Sequence, residues 1–180
     1  MLIKSFFGGF GGQGVLLMGY TLAYAAMVEN KHVTYLPAYG AEVRGGTAHC
    51  TVAISDEEIS SPVASSPDFV TVMNNPSLER FQNSIQTGGG MFINTTLVQN
   101  RPLRGDIEVF EIPATTIAEK LGNLRAANMV MIGAFVRESG LVNINTVLDN
   151  LGEIFGARRK KLVKINQKAI QAGYDALGDK

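Results

Sequence analysis

The sequence predicts a single α/β domain in three layers, built on a mostly parallel sheet with some antiparallel strands. Segments with strand character alternate along the chain with segments of helix character, which is typical of helices packed on a sheet. Most of the strand segments are short apolar runs without alternation, as buried parallel strands are. The 180 residues, of which 46% are apolar, are enough to bury one core.

Six segments have the composition of strands: Leu2–Phe7, Lys31–Leu36, Thr47–Ser55, Phe69–Met73, Met91–Asn94 and Ile107–Ile112. The third differs from the others because Ala48, Cys50, Val52 and Ile54 alternate with mostly polar residues. A period of two predicts a half-exposed strand, either antiparallel or at the edge of the sheet.

Helices are predicted between and after these strands. The apolar run Val15–Val28 follows the first strand, and Asn75 followed by proline favours a capped helix over Pro76–Gln82. The spacing of Thr116 and Glu119 matches a capping box. The other predicted helices and boundary residues are Asn128–Ser139 before Gly140, Thr146–Phe155 after Asn145, and an amphipathic Arg158–Leu177 after Gly156.

Charge and cysteine content exclude several classes of function. Sixteen basic residues balance sixteen acidic ones, so bulk charge favours neither nucleic acid nor an anionic membrane as a partner. The single cysteine, Cys50, excludes an internal disulfide framework and any four-cysteine metal site made by this chain alone. With no signal peptide visible and no apolar run of spanning length, we expect a cytoplasmic protein.

The first strand runs into a glycine-rich turn, in which Gly9, Gly11 and Gly14 match the G-x-G-x-x-G spacing. Such a strand–turn–helix unit lets the backbone approach a phosphate closely. However, neither an acidic residue nor an arginine follows the second strand to bind a ribose or its phosphate, and the P-loop pattern is absent. Two interpretations stay open: a phosphate-containing ligand, or close packing of strand, helix and a neighbouring chain.

A second unusual segment, Tyr39–Ala48, carries an acid and a base between glycines. Glu42 and Arg44 project to the same side if the chain is extended there, so they could clamp one polar group or meet a partner's charges. The alternative is a solvated ion pair on a turn, which contributes little.

The two segments together closely resemble the gamma subunit of 2-oxoacid:ferredoxin oxidoreductases. The resemblance rests on the runs Gly9–Val15 and Pro37–Gly46, and it continues through Ser60-Ser61-Pro62 and Pro67-Asp68 into the strand ending at Met73. It covers essentially the whole chain in order and in length. The pair of motifs is far more specific than either motif alone.

The resemblance implies a non-catalytic subunit with a Rossmann-like fold, inactive in isolation. Members of this family convert a 2-oxoacid, such as pyruvate, 2-oxoglutarate or ketoisovalerate, and coenzyme A to acyl-CoA and carbon dioxide, and they reduce ferredoxin. Thiamine diphosphate, Mg²⁺ and iron–sulfur clusters would be held by partner subunits of alpha, beta and delta type, with ferredoxin an indirect partner. A short, separately encoded, cysteine-poor gamma chain looks most like the 2-oxoglutarate branch.

The resemblance also implies which residues form the binding surface. A backbone platform and an adjoining loop would lie beside coenzyme A, with no catalytic residue and no metal ligand in this chain. These residues are Gly9, Gly11, Gly12, Gln13 and Gly14 in the platform, with Gln13 as amide donor or acceptor, and Tyr39, Glu42 and Arg44 in the loop.

Two other interpretations compete with this one: a stand-alone nucleotide-binding protein, and a purely structural subunit without a ligand. The basic run Arg158–Lys161, with Lys164 and Lys168, could meet the phosphates of coenzyme A or an acidic partner, or form a solvated face. Cys50 is expected in the core and His49 on the opposite face of the same strand. Without its partners, the chain could form a homodimer through exposed apolar surface.

Overall fold

A computed structural model describes residues 1–40 and 46–178. Six strands and six α-helices occur within these ranges. The strands are β1 Leu2–Phe10, β2 His32–Tyr39, β3 Thr47–Ser55, β4 Phe69–Val72, β5 Gly90–Asn94 and β6 Glu108–Ile112. The helices are α1 Val15–Val28, α2 Asn75–Phe81, α3 Ala114–Lys120, α4 Ala127–Ser139, α5 Ile144–Phe155 and α6 Val163–Asp175.

The strands form one sheet in the order β2-β3-β1-β4-β5-β6. Strands β1, β4, β5 and β6 pair in parallel, whereas β3 is antiparallel to both of its neighbours. The predicted fold class, a mostly parallel sheet with some antiparallel pairing between helical layers, is therefore confirmed. Of the two alternatives predicted for β3, an antiparallel strand or an edge strand, the first is confirmed, because β1 and β2 flank β3 and both pair with it in antiparallel fashion.

The sheet separates two apolar clusters, and the alternation of side chains along β1 contributes to both. Phe7 points into the larger cluster, which α1, α3, α4, α5 and α6 complete. Phe6 points into the smaller cluster, where Leu78 and Phe81 of α2 cover β4 and β5. The layers are thus unequal, with five helices on one face and α2 on the other.

The second face of β3 is more buried than its alternating sequence predicts. Thr51 is 7% exposed and Ala53 is fully buried on this face. The loop between β3 and β4 is attached here, since Lys4, opposite Ala53 in the register, donates from Nζ to the carbonyl oxygen of Val63 at 2.7 Å. The β3–β4 loop is thereby attached to the face that the pattern predicted to be open to solvent.

Helix α1 has its predicted bounds, and the bounds of the other helices differ from the predictions by at most five residues. At two of them, neighbouring asparagines compete for the cap. Asn74, not Asn75, caps α2 by accepting from the backbone N–H of Ser77 at 2.9 Å. Asn143, not Asn145, caps α5. Thr116 lies inside α3, so its predicted capping box is wrong.

The ends of two later helices also test the sequence rules. Gly140 ends α4 with a φ of 59°, as predicted. Gly156 interrupts the chain after α5, also as predicted, but the expected helix Arg158–Leu177 is wrong at its start. A 3₁₀ segment over Ala157–Leu162 comes first, and α6 begins only at Val163.

Helices α4 and α6 cross with their backbones in contact. A Cβ atom on Gly133 would overlap the carbonyl oxygen of Ile170, and one on Gly173 would overlap that of Val130. Each helix therefore supplies a glycine at the point where the other's backbone passes. Residues 127–136 of α4 are buried throughout, so this helix lies between the sheet and α6.

We expect Gly133→Ala or Gly173→Ala to destabilise the fold by about 1–3 kcal/mol or more, because a backbone overlap cannot be relieved by a rotamer change. The measurement is urea unfolding followed by circular dichroism. Gly152→Ala in α5 is the matched control, since a Cβ there meets no atom within 4 Å and alanine favours a helix. Equal stability of all three variants would contradict the crossing.

His49 lies on the second face of β3, opposite Cys50, as predicted. Its ring stacks on Phe6 with 5.2 Å between centroids and lies 5.6 Å from the ring of Phe81. Its Nδ1 atom is buried without a hydrogen-bond partner among the described residues. Burial, and then the charge of Arg80, lower the pKa of His49 below its usual 6.5.

A His pKa that is lower in the folded state means that the unfolded chain binds the proton more tightly. Stability should therefore fall as the pH drops below about 6.5, and the loss should stop below the folded pKa. We expect His49→Phe to flatten this slope, measured by urea unfolding between pH 5 and 7.5. His32→Gln, at an exposed position on β2, is the control, and a slope unchanged in the His49 variant would contradict the assignment.

Candidate functional site

The candidate site lies at the carboxyl ends of β1 and β4, where the chain leaves the sheet in opposite directions. After β1 it enters α1, which packs in the larger cluster, and after β4 it enters α2 in the smaller one. Open α/β sheets bind ligands at such a switch point. The glycine loop after β1 and residues Met73 and Asn74 after β4 form its two sides.

The glycine loop is fixed by conformation and by close approach. Gly12 and Gly14 have φ values of 101° and 74°, in the left-handed region that favours glycine. A Cβ on Gly9 would lie 2.7 Å from a Val15 methyl carbon, and one on Gly14 would overlap the amide of Asn128. The predicted strand–turn–helix is therefore present, with glycines at the tight contacts.

Gln13 joins both sides of the switch point through one side-chain amide. Its Oε1 accepts from the backbone N–H of Phe10 at 2.7 Å and from Nδ2 of Asn74 at 2.8 Å. Its Nε2 donates to the carbonyl oxygen of Met73 at 3.1 Å. Since Asn74 also caps α2, this cluster ties the glycine loop to β4 and to the first turn of α2.

The Gln13 cluster occupies the place where a dinucleotide would cross between β1 and β4 in a nucleotide-binding protein. Its oxygen already accepts two internal hydrogen bonds, which leaves one N–H of the amide for a ligand. The geometry thus gives Gln13 a positioning role. Its predicted contact with coenzyme A stays a prediction, as do those of Gly9, Gly11, Gly12 and Gly14.

The second motif reaches the same edge of the sheet. Tyr39 ends β2 and is 65% exposed, and Thr47 begins β3 beside it. The backbone N–H of Gly11 donates to the carbonyl oxygen of Gly46 at 2.9 Å, which joins the two motifs directly. Glu42 and Arg44 lie outside the described residues, so their predicted contacts stay predictions.

Open space lies to the side of the Gln13 cluster, toward the start of α4. Two adjoining cavities of about 190 and 680 Å³ share Gly12, Arg125 and Asn128 in their walls. The larger one, called here the α4 cleft, is also lined by Gly14, Leu17, Asn123, Phe155, Leu162 and Asn166.

Sequence reasoning missed Asn123, Arg125 and Asn128. The available signal was the Gly122-Asn123 pair before an apolar helix. Gly122 has a φ of 80°, and Asn123 accepts from the N–H of Arg125 at 3.2 Å to begin a 3₁₀ turn. Turn chemistry predicts where a helical segment begins. Only the tertiary fold, however, brings the residues near 125 next to the glycine loop.

Cys50 lies in the larger apolar cluster, as predicted, and its Sγ is 3.4 Å from the carbonyl oxygen of Val15. Burial raises the pKa of its thiol to about 12, so the thiol stays protonated. Within residues 1–40 and 46–178, no three His, Cys, Asp or Glu side chains cluster closely enough to bind a metal. In the same ranges no helix combines the length and apolar character needed to cross a bilayer.

Comparison with known proteins agrees with this fold. The model of the family described as pyruvate ferredoxin/flavodoxin oxidoreductase matches residues 4–176. The 2-oxoglutarate synthase subunit KorC of Methanothermobacter marburgensis is 37% identical over 178 residues, covering 94% of this chain and 93% of that protein. The chain therefore belongs to the pyruvate ferredoxin/flavodoxin oxidoreductase family, and the resemblance seen in the sequence is confirmed at that level.

The same unit also occurs within longer proteins. The ketoisovalerate oxidoreductase subunit VorA of Methanothermobacter thermautotrophicus is 39% identical over 169 residues, which cover 93% of this chain but 35% of VorA. This chain thus spans about a third of the length of that relative.

Solved structures show the same fold. The gamma subunit of a keto/oxoacid ferredoxin oxidoreductase from Geobacter sulfurreducens superposes with a TM-score of 0.83 at 25% identity, covering 97% of this chain and 98% of that one. The 2-oxoglutarate:ferredoxin oxidoreductase from Magnetococcus marinus, solved with 2-oxoglutarate, coenzyme A and succinyl-CoA, superposes with a TM-score of 0.88 at 22% identity. The match covers 98% of this chain and 31% of the Magnetococcus chain.

We expect Gln13→Ala to destabilise the fold by about 1–3 kcal/mol, because the N–H of Phe10 and the amide of Asn74 lose their acceptor. The measurement is the free energy of unfolding in urea. Gln99→Ala, which removes an exposed amide of the same size, is the control and should change stability little. If the two variants unfold alike, the Gln13 cluster does not hold the glycine loop.

Proposed function

We propose that this chain is the gamma subunit of a 2-oxoacid:ferredoxin oxidoreductase, forming one gamma-type domain over residues 1–180. The assembled enzyme would convert a 2-oxoacid, coenzyme A and oxidised ferredoxin to acyl-CoA, carbon dioxide and reduced ferredoxin. The observation that carries the proposal is the hydrogen bond between Gly11 and Gly46, which brings both motifs of the resemblance to one sheet edge.

In this proposal the chain is non-catalytic and contributes part of the coenzyme A environment. The glycine loop, with Tyr39, Glu42 and Arg44, is the part of the chain we assign to that role. The coenzyme A in the Magnetococcus structure, whose fold this chain shares, supports the choice of ligand. Thiamine diphosphate, Mg²⁺ and the iron–sulfur clusters would belong to partner subunits of alpha, beta and delta type, and the complex would work in the cytoplasm.

The outer surface of α1 and the edge strand β2 support a role in assembly. Large apolar side chains are exposed there, including Tyr20, Met27 and Leu36, each more than 40% exposed. A groove of about 310 Å³ between α1 and β2 lies among Tyr20, Tyr24, Met27 and Tyr35. Apolar surface of this kind marks protein interfaces, and we propose that a catalytic partner subunit covers it.

The α1–β2 surface would also explain a homodimer of the isolated chain, since identical copies can bury the same groove. The purely structural alternative shares the assembly role but gives the glycine loop no ligand. For Gln13 alone, the hydrogen bonds favour the purely structural alternative, because the side-chain amide is engaged within the chain. The apparent KM for coenzyme A separates these two alternatives, since substitutions in the glycine loop change it only if the loop binds the ligand.

We expect the purified chain alone to show no oxidation of a 2-oxoacid, and the complex isolated anaerobically with its partners to show it. The measurement is reduction of ferredoxin with pyruvate, 2-oxoglutarate and ketoisovalerate in turn, each with and without coenzyme A. The preferred 2-oxoacid then identifies the branch of the family. Oxidation by the chain alone, or a native chain that never associates with other subunits, would refute the proposal.

A further inference from the structure

Arg125 is the one cation among the described residues that line the α4 cleft. The structure describes the side chains of five arginines, Arg80, Arg101, Arg104, Arg125 and Arg137, and four of these have partners. Arg101 and Arg104 pair with Glu111 and Asp106, and Arg80 and Arg137 lie over aromatic rings. Arg125 makes no ion pair with any described residue, although Glu119 lines a shallower depression beside it.

Two buried asparagines face the same cleft with unused oxygens. Asn128 is 4% exposed and Asn166 is 7% exposed. The Nδ2 of Asn128 donates to the carbonyl oxygen of Gly14 at 3.2 Å, and that of Asn166 donates to Leu162 at 2.7 Å. Because each amide nitrogen meets a carbonyl, each Oδ1 is the free end, and neither oxygen has a partner among the described residues.

The cleft therefore combines one guanidinium with two amide carbonyl acceptors, between apolar walls formed by Leu17, Phe155 and Leu162. Amide oxygens that no group of the chain uses can accept hydrogen bonds, so this arrangement suits a ligand that brings its own N–H or O–H groups. The guanidinium suits an anion on the same ligand, phosphate above all. At about 680 Å³ the cleft can hold a ligand of nucleotide size.

We propose that the α4 cleft binds a phosphate-bearing part of coenzyme A, with Arg125 on a phosphate group and the oxygens of Asn128 and Asn166 accepting from ligand N–H or O–H groups. This inference rests on the proposed function, which supplies coenzyme A as the ligand. It moves the main contacts away from Gln13, whose amide is engaged, to residues 123–128 and 166. The glycine loop then forms one wall of the site.

The test uses the assembled complex with Arg125→Ala in this chain. Loss of a charged contact to phosphate should raise the KM for coenzyme A about 10- to 100-fold, with the KM for the 2-oxoacid and kcat changed less than twofold. Calorimetric binding of coenzyme A without 2-oxoacid should weaken by the same factor. Arg125 is exposed, so folding should not change, and Arg125→Lys should recover part of the affinity.

Arg80→Ala is the matched control, since it removes one exposed cation from α2 on the other face of the sheet. Dephospho-CoA distinguishes which phosphate is bound. If Arg125 contacts the 3′-phosphate, only coenzyme A is affected by the substitution. If it contacts the diphosphate, both compounds weaken alike, and either result supports the site.

An active complex whose KM and binding constant for coenzyme A are unchanged by Arg125→Ala overturns this inference and leaves the proposed function intact. A complex that does not assemble, or that oxidises 2-oxoacids without any dependence on coenzyme A, overturns the proposed function and this inference together. The wild-type complex measured in parallel separates these two outcomes.

Discussion

The contact between α4 and α6 is the constraint on which the rest of the structure depends. Helix α4 is buried between the sheet and α6, and the reciprocal contacts of Gly133 and Gly173 set how closely the two helices approach. Because these contacts are backbone against backbone, side-chain rearrangement cannot shift the crossing. The start of α4, which carries Asn128, is thereby fixed against the glycine loop, and the α4 cleft has the shape that this crossing allows.

At the switch point, the side-chain amide of Gln13 occupies the position that a ligand takes in other α/β proteins. In nucleotide-binding α/β proteins the crevice between the diverging strands is open to a phosphate. Here Gln13 and Asn74 fill it with hydrogen bonds within the chain, and the open volume lies beside it. The family resemblance predicted the residues of this edge, whereas their division into a closed junction and an open cleft follows only from the geometry.

The sequence predicted what is local and missed what the tertiary fold decides. Apolar runs, and the glycines at their ends, predict all six strands, α1 and the end of α4 at Gly140. The caps of α2 and α5 were misplaced because two asparagines compete at each, and packing selects between them. The interior position of β3 and the role proposed for Arg125 depend on residues distant in the chain, which no local pattern reveals.

The hydrogen bond from Gly11 to Gly46 has a thermodynamic consequence for an assembled enzyme. It attaches Gly46, just before β3, to the glycine loop. In the proposed complex, a partner subunit that stabilises one of them would also restrict the other, so assembly and ligand binding would share a coupling free energy. By linkage the effect is reciprocal: the factor by which docking changes the ligand affinity is the factor by which the ligand changes the affinity between the subunits.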